Sequence, residues 1–177
     1  SLDLGVHVHH LIDFLTGEKP RELVAVQNSL GCFRQVIDNT MCIARYSNDL
    51  ACSLWFSKAA LGHRNGLRVR VFGDLASAEW YQMDPEFLVC NDNRGHKTIV
   101  DRASVDVEVA PALRYNRFKS GHPSGFLEAF ANLYVDIADS LEAFRATGRQ
   151  ESAFVFTVDH ALEGLCMMEA IARSSRD

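Results

Sequence analysis

Apolar and polar positions change their period twice along this chain. From Gly5 to about Thr16, Val8, Leu11, Ile12 and Leu15 recur at three- and four-residue spacing, which predicts a short helix with one apolar face that Gly17 can end. The period then drops to two. "LVAVQNSL" predicts a strand, and "MCIARYSNDLACSLWF" a hairpin whose second arm alternates through Leu50, Cys52, Leu54 and Phe56 after a turn at Ser47, Asn48 and Asp49. "LRVRVFGDLASAEWYQ" predicts a second hairpin with its turn at Gly73-Asp74, and "FLVCND" and "KTIVD" two more strands around the turn-rich "NDNRGH". After "FKSGHPSG" the helical period returns. Phe126, Phe130, Leu133, Tyr134, Ile137, Leu141 and Phe144 share one side of a long helix with Gly148 past its end. A last helix runs from about Asp159, read as its N-cap, through Leu162, Leu165, Met168 and Ile171.

One helix, at least six strands and then two helices predict an α+β fold: an open, mostly antiparallel mixed β-sheet with helices packed on one face. Such a sheet has a second face. Trp55, Phe72, Trp80 and Tyr81 lie in its strands, and they either meet another subunit there or belong to the core.

The chain has 177 residues, enough for one domain with a substantial core. Hydrophobic residues at 47% and charged ones at 23% are the mix of a soluble globular protein. The net charge of -5 argues against nucleic acid as a partner. No apolar run has the length of a membrane span and no leader pattern opens the chain, so a cytoplasmic protein is expected. Cys32, Cys42, Cys52, Cys90 and Cys166 are odd in number and contain no C-x-x-C pair, which argues against disulfide and zinc frameworks.

The candidate chemistry begins at the N-terminus, "SLDLGVHVHH", where an aspartate and three histidines fall within ten positions. Three readings compete: a metal site, the acid/base end of a catalytic centre, or a helix start rich in imidazole. His7, His10 and Asp3 are ordinary ligand types for zinc or manganese, but two histidines three apart are a weak metal signal. His7 and His10 lie one helical turn apart, while His9 points elsewhere as a surface or packed residue. In "SGHPSG", His122 immediately precedes a helix N-terminus, where free backbone N–H groups favour an anion or a hydroxyl-rich ligand; the same residue also suits a helix cap.

Asp3-x-Gly5-x-His7, running into a helix that ends in "FLTG", resembles the opening motif of the C-terminal domain of the glucose-fructose oxidoreductase / inositol dehydrogenase / rhizopine catabolism (Gfo/Idh/MocA) family. "LRVRVFGDLASAEWYQMDPEFL", "GHPSGFLEAFANLYVDIADSL" and the closing "VDHALEGLCMMEAIARSS" are similar to later family segments in the same order. "GHPSGFLEAFANLY" is the most specific of them.

The resemblance implies that residues 1–177 form a single C-terminal substrate-binding and oligomerisation domain, with a Rossmann domain holding NAD or NADP outside this chain. It implies no cofactor on these residues, and the sequence contains no G-x-G-x-x-G after a strand. Glu18-Lys19-Pro20 copies the family's catalytic tripeptide but follows the Asp-His motif instead of preceding it, and reads as a solvated loop. The resemblance makes His7 the base that takes the substrate's hydroxyl proton, with Asp3 orienting it or holding a hydroxyl. A histidine, with an unperturbed pKa of about 6.5, can do so at neutral pH. His10 stands where many relatives carry an acidic residue, so a change in substrate preference or in the hydrogen bonding of the site is expected. His122 and Tyr115 are implied to border the substrate pocket.

The function expected is the substrate-binding and catalytic half of an NAD(P)-dependent oxidoreductase of a sugar, cyclitol or related polyol, assembled as a dimer or tetramer through the open sheet face. The alternatives are a non-enzymatic sugar-binding or assembly module of the same fold, and a metal-dependent hydrolase or isomerase using the histidine cluster.

Overall fold

The structure, a computed structural model, describes residues 2–150 and 152–176. Its elements are α1 (Leu2–Thr16), β1 (Pro20–Asn28), β2 (Asn39–Tyr46), β3 (Ala51–Ser57), β4 (Arg68–Phe72), β5 (Ala76–Tyr81), β6 (Phe87–Asp92), β7 (Lys97–Asp101), α2 (Phe126–Thr147) and α3 (Val158–Ser174). The class is α+β with open, antiparallel sheets. The strands divide into a three-stranded sheet in the order β1-β2-β3 and a four-stranded one in the order β4-β5-β6-β7. Each belongs to its own compact unit, one made of Ser1–Gly62 with Phe156–Asp177 and the other of His63–Val155.

In the first unit α1 and α3 pack against each other and cover one face of the β1-β2-β3 sheet. Alternation sorts the strand residues: Ala25, Cys42, Ala44, Tyr46, Leu54 and Phe56 face the helices and are buried with Met167 and Ile171 of α3. Burial raises the Cys42 thiol to about 11, so it serves as a small apolar side chain. The other face carries Val24, Val26, Met41, Ile43 and Trp55, all exposed. Cross-strand register sets Val26 opposite Met41 and Met41 opposite Trp55, with Val24 opposite Ile43, so these residues form one continuous apolar patch.

Pattern and structure differ on α1. The helix begins at Leu2, and its buried positions are Gly5 and His9, with Leu4, Val8 and Ile12 packed beside the core, whereas Leu15 is half exposed. The cause is a close approach. A Cβ on Gly5 would lie 2.3 Å from Met168 Sδ and 2.9 Å from Phe56 Cζ, so the helix axis sits nearer the core than a side-chain stripe through Leu11 and Leu15 would allow. Gly17, at φ +67°, ends the helix as expected and donates its N–H to Asp13 O at 2.7 Å. The N-cap of α3 is Thr157 and not Asp159; the Thr157 N–H is satisfied by His160 Nδ1 at 3.1 Å.

The second unit stacks the β4-β5 and β6-β7 hairpins into one antiparallel ladder. Trp80 donates its indole N–H to Pro85 O, and Arg68 lies over the Tyr81 ring, so these two aromatics are used inside the unit, whereas Phe72 is exposed. Residues 102–125 run irregularly into α2. The apolar stripe of α2 is exposed, and its buried residues are polar: Asp136 and Ser140. Arg114 explains Asp136, reaching it with a bidentate pair at 2.5 and 2.8 Å while its guanidinium stacks on Phe154, 3.9 Å from the ring centre.

Candidate functional site

At the start of α1, Asp3 and His7 are one helical turn apart, on the side opposite Gly5, and both are exposed. The glycine lets the far side of the helix press onto Met168 and Phe56, which fixes the axis from which the two polar side chains project. Asp3 lies in the first turn, where a carboxylate is favoured by the helix dipole. Lys58, just after β3, donates to Asp3 Oδ2 at 2.6 Å. That hydrogen bond and charge hold the Asp3 carboxyl below its usual range, with His7 adding to the effect. The arrangement presents a carboxylate, an ammonium group and an imidazole along one exposed edge.

His9 and His10 turn inward. His9 is 2% exposed, and burial lowers its pKa, so it is held as neutral imidazole. The His10 ring rests on Gly164 of α3, whose added Cβ would lie 3.1 Å from Nε2, and 5.2 Å from the Phe156 ring centre. Close beneath, Lys19 binds Asp13 at 3.0 Å and Glu163 at 2.7 Å, and Glu18 accepts hydrogen bonds from Ser47 Oγ and Asn48 Nδ2. Glu18 and Lys19 lie in a loop as read, with Lys19 exposed, and their side chains also reach α1, α3 and the β2-β3 turn.

His122 and Tyr115 belong to the second unit, so the residues expected at the site are distributed over both. His122 is exposed in the turn before α2. Arg102 Nη2 donates to the His122 carbonyl at 2.8 Å, and Arg102 Nε to Glu86 Oε2 at 2.6 Å. Glu86 Oε1 accepts the Ser124 N–H at 3.3 Å, and Asp101 Oδ2 accepts from Ser120 Oγ at 3.2 Å. Tyr115 is exposed beside Arg114, whose chain segment is tied to α2 through Asn132. Among the described residues no three His, Cys, Asp or Glu side chains are gathered as they would be to hold a metal ion. None of the described strands enters a helix through a G-x-G-x-x-G loop.

Four residues at or behind these sites have no signal in the sequence pattern: Lys58, Glu86, Arg102 and Asp136. Each is identified by a partner distant in the chain.

Comparison with known proteins agrees with this architecture. Residues 1–79 match the GFO/IDH/MocA C-terminal domain. The oxidoreductase YfiI of Bacillus subtilis (strain 168), itself described as uncharacterized, is 25% identical over 178 residues, covering 98% of this chain and 45% of that protein. An oxidoreductase from Sinorhizobium meliloti superposes with a TM-score of 0.85 at 33% identity over 98% of this chain and 49% of its own. An inositol dehydrogenase homolog from Azotobacter vinelandii complexed with NAD+ gives 0.87 at 25% identity over 98% of this chain and 46% of its own. The fold and these matches define a domain of an oxidoreductase family. The chain resembles the C-terminal domain of the Gfo/Idh/MocA family, by its match over residues 1–79 and by its fold. It spans about half the length of the relatives it matches. No helix among the described residues is long and apolar enough to cross a membrane.

Proposed function

We propose that this chain is the substrate-binding, catalytic and oligomerisation half of an NAD(P)-dependent oxidoreductase acting on a cyclitol, sugar or related polyol in the cytoplasm. The observation that carries the reading is the exposed Asp3-His7 pair on one turn of α1, within the region that matches the family. The likeness to an inositol dehydrogenase homolog with bound NAD+ supports the substrate and coenzyme class. A coenzyme held mainly by a Rossmann domain would supply the hydride acceptor for the carbinol carbon. His7 takes the hydroxyl proton as the hydride leaves, and Asp3, kept ionised by Lys58, orients His7 or holds a neighbouring hydroxyl. In the second unit His122 and Tyr115 are the polyol contacts of this reading, whereas the His10 ring packs against α3. The free cysteines fit a reducing compartment.

The apolar face of Val24, Val26, Met41, Ile43 and Trp55 packs, in this reading, against its counterpart in a second copy. A two-fold contact of that kind is self-complementary.

The test is a spectrophotometric screen of the complete oxidoreductase with NAD and NADP against a panel of cyclitols, aldoses and linear polyols. Turnover of at least one polyol is expected. Absence of turnover across the panel with both coenzymes, in protein shown to bind the coenzyme, contradicts the reading and favours a sugar-binding module.

A further inference from the structure

We infer that Arg102 and Glu86 are positioning residues for the substrate-contacting turn 120–124, an inference that rests on the substrate role proposed for His122. The ladder between β6 and β7 closes with Phe87 opposite Asp101, and Glu86 and Arg102 are the next pair outward, joined by the Arg102 N–H to Glu86 O at 3.2 Å. Antiparallel register therefore sets a carboxylate and a guanidinium side by side at the end of the sheet. Both are largely covered, with side chains 15% and 25% exposed, and they meet at 2.6 Å.

The pair does more than neutralise itself. Its free atoms hold the turn at two points, the His122 carbonyl through Arg102 Nη2 at 2.8 Å and the Ser124 N–H through Glu86 Oε1 at 3.3 Å. Asp101, one residue before Arg102, holds a third point at Ser120 Oγ, 3.2 Å away. The turn contains Gly121 at φ +89°, and within it the His122 N–H donates to the Lys119 carbonyl at 3.1 Å. The carbonyl and the side chain of His122 leave the same Cα. The ring Nδ1 meets the Lys119 carbonyl at 3.1 Å, and holding the His122 carbonyl fixes the backbone from which the ring makes that contact, leaving Nε2 outward. Charge-assisted bonds in a partly desolvated setting are strong enough for this, and Arg reaches the two acceptors with separate nitrogens of a rigid fork, where Lys must serve both from one.

The experiment uses the complete oxidoreductase with myo-inositol, or the best substrate of the panel above, and compares R102A, R102K, E86Q and H122A. The exposed pair Arg68–Glu79 supplies R68A as a control of the same charge change. R102A and E86Q are expected to raise the polyol KM about tenfold or more, leaving kcat within about twofold and the coenzyme KM unchanged, with R102K intermediate and R68A like the parent. E86Q keeps the size of the side chain and remains informative if R102A does not fold. Hydrogen exchange over 120–124 is expected to quicken in the same variants. A parental KM in R102A and E86Q alongside a raised KM in H122A overturns the brace alone. A parental KM in H122A overturns the substrate role of His122 itself. Faster exchange with no change in KM makes the pair structural only, which also overturns the inference.

Discussion

Lys58 Nζ donates to Asp3 Oδ2 at 2.6 Å, so the carboxylate at the head of α1 is paired with a cation from the end of β3, 55 residues away. The pair is exposed, and its consequence is for ionisation rather than stability. The Asp3 carboxyl titrates below its ordinary value of 3.8 because Lys58 favours the charged form. Lys58→Met removes that partner, and the midpoint of Asp3 is expected to move up toward the ordinary value. Carbon-13 NMR titration of the side-chain carboxyl reads this directly; an unchanged midpoint would show that Lys58 does not face Asp3 in solution.

Gly5 belongs to the Asp-x-Gly-x-His motif for a packing reason. Its missing Cβ is the space taken by Met168 Sδ and the Phe56 ring. Gly5→Ala gains helix propensity but forces these side chains apart, with a net loss of about 1–3 kcal/mol, and Gly5→Val a larger one. Chemical denaturation measures it. A Gly5→Ala protein as stable as the parent would mean that Met168 swings aside at no cost.

His9 makes stability depend on pH. Its imidazole is buried between α1 and the core, its pKa is lowered by burial and by His10, and Asp13 and Glu163 offset this only in part. The unfolded chain, with histidine near 6.5, therefore binds the proton more readily than the folded one. The contribution of His9 is fully present above about pH 6.5 and is lost as pH falls below it toward the folded-state value. Tm measured from pH 7.5 down to 5.5 is expected to fall, and His9→Phe is expected to flatten that slope. An equal slope in both proteins would assign the acid sensitivity elsewhere.

The outer face of the three-stranded sheet predicts assembly. Val24 and Ile43 are 70% and 67% exposed, and with Trp55 they make a patch that a soluble monomer seldom leaves open. Light scattering after size-exclusion chromatography is expected to give at least a dimer at micromolar concentration, through an interface above roughly 1,200 Å² in total. Ile43→Lys is expected to dissociate it. A parent mass of 19.8 kDa would contradict the assignment of this face.

The elements of this fold are legible in the pattern because each strand or helix is short-range physics. Leu54 and Phe56 alternate into the core as their spacing requires, and Gly17 and Gly148 end helices in the left-handed region. What the pattern does not carry is anything that depends on tertiary register. It leads to one sheet with one open face, where the strands form two antiparallel sheets. It puts Leu11 and Leu15 on the packed stripe of α1, where the close approach at Gly5 brings in His9. It passes over Glu86 and Arg102, which become neighbours only when β6 and β7 pair. The Asp3-His7 spacing is visible at once, since it is one turn of one helix, whereas Lys58 reaches it only through the three-stranded sheet.

The central claim is that His7 removes the substrate proton. His7→Asn keeps a polar side chain of similar reach but cannot act as a base. Steady-state kinetics of the complete oxidoreductase, with coenzyme binding measured separately, are expected to show kcat reduced by about 10² to 10⁴ and coenzyme affinity unchanged. Parental turnover in His7→Asn would contradict the claim and remove His7 from the mechanism.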